Sequence, residues 1–114
     1  MARVRAGTGT GGAAAPRLHA VLHALSDPVR LGIVMQLHRD GESSCAALDG
    51  GRPKSSMSHH FRVLRDAGVV ETTARGVTHM NCLRRDALDA RFPGLLDAVI
   101  AAAGDGTVRD GSTD

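Results

Sequence analysis

The sequence predicts a small domain that is mainly α with a small β-hairpin, on three observations. Apolar residues recur at helical spacing in successive stretches between Leu18 and Leu64. After Gly68 the period falls to two, in "VVETTA" and "VTHMNCL" on either side of "RG". Helical spacing then returns through Leu88, Phe92, Leu96 and Val99 or Ile100. The expected order is four helices, a hairpin and a fifth helix.

Each element has its own signals. Pro16 suits a first helical position, and Leu18, Leu22 and Leu25 follow as the apolar stripe of the first helix. Ser26 or Asp27 can cap the second helix, with Pro28 in its first turn and Val29, Ile33, Val34 and Leu37 along one side until Gly41. Ser44 can cap a short third helix, "CAALDGG", which Gly50 and Gly51 close. The fourth begins near Lys54 or Ser55, with Met57, His60, Phe61 and Leu64 on one face and Gly68 placed to end it in the left-handed conformation. In the fifth, Pro93 breaks or kinks the helix.

The 114 residues fit one domain, expected over residues 16–103, between an unstructured Gly/Ala-rich arm (1–15) and a disordered tail (104–114). With 2% aromatic residues, its core must come from Leu, Val, Ile, Met and Ala. Cys45 and Cys82 stand far apart, which fits a reduced interior better than a disulfide scaffold. No apolar run is long enough for a membrane span, and the first residues lack a secretory h-region, so a soluble, cytoplasmic protein is expected. No paired-carboxylate or Ser/His/Asp constellation is present, and "GGRPKSS" lacks P-loop spacing, which argues against an enzyme.

Charge is distributed unevenly. Between Arg52 and Arg85 seven basic residues face two acidic ones, a net +5, so the rest of this +2 chain carries −3. Such a segment is the electrostatic footprint of a phosphate-binding surface. On a helical wheel Met57, Phe61 and Leu64 of the fourth helix point one way, and Ser55, His59, Arg62 and Asp66 the other. A short helix, a tight turn and a second helix with a polar, basic outer face make a helix-turn-helix. Lys54, Ser55, Ser56, Ser58, His59 and Arg62 are the candidate DNA contacts: Lys54 and Arg62 for phosphate or guanine, His59 or Ser56 for a base edge. The hairpin would be a wing, with Arg75 at its tip reaching the flanking backbone or minor groove.

In "ALSDPVRLGIVMQL", "SSMSHHFRVLRDAGVV" and "ARGVTHMNCL" the chain resembles the ArsR/SmtB winged-helix transcriptional regulators, over about residues 17 to 103. The resemblance implies a homodimer through the first and last helices, in part by Leu18, Leu22, Leu96, Val99 and Ile100. It also implies an imperfect inverted repeat in double-stranded DNA and, usually, repression until an effector changes DNA affinity. The thiol-type sensor of such regulators has a C-x-C pair where this chain has Cys45 alone, and no histidine follows His79 to build the C-terminal-helix type. His19 and His23, at i and i+4 in "HAVLH", remain as two nitrogen ligands suited to Ni(II), Zn(II) or Co(II), or as ordinary surface histidines. An organic ligand, a thiol signal or a corepressor protein stays open as the effector. The other function class is a winged-helix module binding a protein or RNA, since fold does not dictate function.

Overall fold

Helices form here where caps and apolar spacing coincide. A computed structural model describes residues 15–113, with side chains as far as Gly104. In chain order the elements are α1 (Leu18–Leu25), α2 (Pro28–Asp40), β1 (Glu42–Ser44), α3 (Cys45–Leu48), α4 (Lys54–Asp66), β2 (Val70–Arg75), β3 (Thr78–Leu83), α5 (Arg85–Arg91) and α6 (Leu95–Thr113). This is the winged helix-turn-helix order expected from the sequence, with two additions.

The first is β1. The hairpin is part of a three-stranded antiparallel sheet of order β1-β3-β2, in which Glu42, Ser43 and Ser44 pair with Cys82, Asn81 and Met80. Three residues of "ESS" hold too little alternation to announce a strand, and this one exists through a partner about forty residues away. The second is a division of the C-terminal helix at Pro93 and Gly94, where Gly94 takes φ +82° and α6 starts afresh. The backbone of α6 continues to Thr113, within the segment expected as a disordered tail, and the arm expected over residues 1–15 lies, apart from Ala15, outside the described residues.

Capping follows the sequence closely. Asp27 Oδ2 accepts from the backbone N–H groups of Val29 and Arg30 at 2.9 and 3.1 Å, fixing the start of α2 with Pro28 in the first turn. Ser44 Oγ accepts from the Ala47 N–H at the start of α3. Gly68, at φ +82°, closes α4: its N–H donates to the Arg65 carbonyl and that of Val69 to the Leu64 carbonyl, the paired bonds of a left-handed helix stop.

The core sits beneath α4. Val21, Ala24, Ile33, Val34, Leu37, Leu48, Met57, Phe61, Leu64, Val69, Val70, Leu88 and Leu96 are all buried, and α2 packs against α1, α4, α6 and the sheet. The stripe expected on α1 is corrected in part: Val21, Ala24 and Leu25 face the core, while Leu18 and Leu22 remain 48% and 47% exposed. Leu96, expected at a dimer face, belongs to the core at 3% exposure.

Candidate nucleic-acid interface

Helix α4 places its chemistry by resting on its apolar side. Met57, Phe61 and Leu64 are buried, which turns Ser55, His59 and Arg62 to solvent on the opposite side, with Lys54, Ser56 and Ser58 also exposed. Among the described residues no carboxylate pairs with Lys54 or Arg62, so both charges are available to a ligand. The N-cap is Pro53, which gives no side-chain cap, and Ser56 Oγ is hydrogen-bonded to the Pro53 carbonyl at 3.1 Å. The first turn of α4 therefore has no side-chain cap, and the positive end of the helix dipole adds to the cations. An open cleft of about 440 Å³ is lined by Lys54 and Ser58 together with Thr78 and His79 of the wing and by Cys45 and Asp49.

A buried arginine ties this helix to the rest of the domain, and the sequence reading missed it. Arg30, 7% exposed, donates from Nε to the Ala24 carbonyl at 2.8 Å and from Nη2 to the His23 carbonyl at 3.3 Å, ending α1. Its Nη1 lies 3.2 Å from His60 Nδ1 on α4. A guanidinium only donates, so this contact is a hydrogen bond when Nδ1 is the accepting ring nitrogen. Asp27 Oδ2 stands 3.9 Å from the same ring nitrogen. Hydrogen bonds from the Arg30 and Val29 amides, with the nearby Arg30 guanidinium, outweigh desolvation and hold the Asp27 carboxyl below its usual range. The available signal was spacing: Arg30 falls on the same helical stripe as Ile33, Val34 and Leu37, where a charge is unexpected unless partnered.

The wing is built differently. Arg75 pairs with Thr78, leaving Gly76 and Val77 as a two-residue loop in which glycine supplies φ +61° at the first position. At its base the buried Asn81 binds all three strands: it accepts from Thr72 Oγ1 at 2.6 Å and donates to the Ser43 carbonyl at 3.3 Å. Arg75 does not project freely from the tip. Its guanidinium reaches the β1 edge and holds Glu42 through two bonds of 3.0 and 2.8 Å. Between the strand edges, Cys82 is opposite both Glu42 and Glu71; burial pushes its thiol pKa up, both carboxylates add to that and Arg75 opposes it.

Comparison with known proteins agrees with this geometry. A model for a helix-turn-helix domain matches residues 25–73, the stretch from the end of α1 into β2. The HTH-type transcriptional regulator YceK of Bacillus subtilis (strain 168) is 34% identical over 82 residues, covering 69% of this chain and 82% of that protein. The transcriptional repressor BigR from Xylella fastidiosa superposes with a TM-score of 0.54 at 31% identity, covering 66% of this chain and 85% of that one. An ArsR family transcriptional regulator gives a TM-score of 0.59 at 23% identity, covering 71% and 84% of the two chains. The chain belongs to the helix-turn-helix transcriptional regulators, and it shares the fold of an ArsR family regulator.

As one of these proteins it is a transcriptional regulator with a helix-turn-helix DNA-binding domain, and its relatives are regulators, not enzymes. No helix among the described residues is long and apolar enough to cross a membrane. Most of the predicted contact residues come together: Lys54, Ser55, Ser56, Ser58, His59 and Arg62 all lie exposed on α4, while Arg75 is engaged elsewhere. His19 and His23 are both exposed on α1, yet among the described residues no group of three His, Cys, Asp or Glu side chains could hold a metal ion. Two imidazoles on one chain do not make a complete metal site. Two other histidines have structural neighbours, His38 at Arg85 Nη2 (3.0 Å) and His60 at Arg30.

Proposed function

We propose that this regulator is of the ArsR type and binds an imperfect inverted repeat as a homodimer, each copy inserting α4 into the major groove. The observation that carries the reading is the exposed, unpaired side of α4: Lys54 and Arg62 against phosphate or guanine, and Ser55, Ser56, Ser58 and His59 close enough for base edges. Small serines at the helix start permit close approach. Exposed Leu18 and Leu22 on α1, with half-buried Val99 and Ile100 on α6, are the apolar surface for the second copy. Two-fold symmetry would set the recognition helices about 34 Å apart, one DNA turn, so the site is palindromic. Binding represses transcription where the site overlaps a promoter, and an effector sets the affinity.

Control by Ni(II), Zn(II) or Co(II) would rest on His19 and His23, with the remaining ligands supplied by the second copy, because one chain offers only these two donors on α1. A labelled fragment of the protein's own upstream region, titrated with chelator-treated protein at several salt concentrations, tests the DNA reading. Salt-sensitive binding that Arg62→Ala weakens supports it, and salt-insensitive or absent binding rejects it. Repeating the titration with each metal and with the His19→Ala, His23→Ala double variant tests the metal reading separately.

A further inference from the structure

We propose that Glu42 is an internal competitor of DNA for the wing arginine, so that the wing engages phosphate only by taking Arg75 away from a carboxylate. The inference rests on the DNA-binding reading above and adds an affinity-setting residue that lies outside the helix-turn-helix. Arg75 belongs to β2 and Glu42 to β1, the two edge strands, with β3 between them. The guanidinium therefore lies back across the outer face of the sheet, held by bonds of 3.0 and 2.8 Å, and does not extend beyond the loop. Both oxygens of the carboxylate are occupied, which is the two-pronged geometry a phosphate also accepts. A phosphate can therefore replace Glu42 without changing how the guanidinium bonds.

Exposure decides whether that exchange is accessible. The Arg75 and Glu42 side chains are 59% and 38% exposed, so water and salt screen the pair and its net strength is small. Paired, Arg75 and Glu42 together present no net charge to DNA. Released, Arg75 presents one positive charge beside Gly76 and Val77, and Glu42 is left near Glu71 on the flanking face around Cys82. The acid thus subtracts from wing affinity in proportion to the strength of its hold on Arg75. Lys54 and Arg62 on α4 have no such competitor among the described residues.

The experiment is a double-mutant cycle on the full chain, with affinity for its own upstream fragment measured across a salt series. Glu42→Gln is expected to tighten binding by up to about fivefold, the range of exposed ion pairs. Arg75→Ala is expected to weaken binding and reduce the slope of log affinity against log salt by about 0.9, one lost phosphate contact. In the Arg75→Ala background, Glu42→Gln should have no effect. Weaker or unchanged binding by Glu42→Gln, the first of which would make the pair a brace for the wing, overturns the proposal. So does equal tightening in both backgrounds, a general charge effect, or a salt slope that Arg75→Ala leaves unchanged. If the wild-type chain and Arg62→Ala alike show no salt-sensitive binding, the DNA reading itself has failed. Both positions are exposed, and coincident urea unfolding curves for the four proteins separate these outcomes from misfolding.

Discussion

Helix α4 and the wing both present basic side chains to solvent, yet they hold them by different physics. The helix sits on a face of fully buried side chains, so its outer side needs no internal partners and leaves Lys54 and Arg62 unpaired. The hairpin has little beneath it: its buried residues are Val70 and Asn81, both toward the base, and Val77 at the tip is 101% exposed. A two-stranded ribbon without an apolar floor is marginal by itself, and Arg75 on its distal end folds back to Glu42 on the far edge strand. Packing from below leaves charges free for a ligand, whereas a thin element uses its charges on itself.

The contrast is open to direct attack. Phe61→Ala should produce the largest effect, a loss of about 3–5 kcal/mol in urea unfolding, because it empties the floor under α4. A loss near zero would mean that the helix does not depend on that floor. The junction between the two regions is next: Gly68→Ala forces a left-handed conformation on alanine and places a Cβ 3.1 Å from the Pro16 backbone, with an expected cost of about 1–3 kcal/mol. Arg62→Ala should weaken DNA binding by roughly tenfold with unfolding unchanged, more than Arg75→Ala does, because Arg62 has no competing carboxylate.

A smaller effect is expected beneath the helix-turn-helix, where Asp27 fixes the start of α2 and stands beside His60. Its folded pKa is depressed, so its charge stabilises the fold fully above the ordinary carboxylate pKa, and that contribution fades as pH falls through the lowered value. Asp27→Asn should therefore be less stable than wild type at about pH 7, with the difference shrinking as pH falls through the lowered pKa, measured by urea unfolding at each pH. At the wing tip Val77→Ala should leave stability within about 0.5 kcal/mol of wild type, and a clear loss would reveal a tip packed against something.

Much of this could be read in advance because it is local. Caps at Asp27 and Ser44, the stop at Gly68, the turn at Gly76 and the buried stripe Met57–Phe61–Leu64 depend on residues a few positions apart, so the helix order, the hairpin and the outward face of α4 follow from the chain itself. On α1 the periodicity was ambiguous, since Leu18 and Leu22 on one side compete with Val21, Ala24 and Leu25 on the other, and local spacing does not say which side meets α2. What only the tertiary structure decided involves partners distant in sequence. β1 is a strand because β3 lies beside it, Arg30 is buried because α1 ends and α4 passes within its reach, and Arg75 turns inward because Glu42 waits on the far edge of the sheet. Spacing along the chain determines which way a side chain faces on its own element. It does not encode which group from another element will be there to meet it.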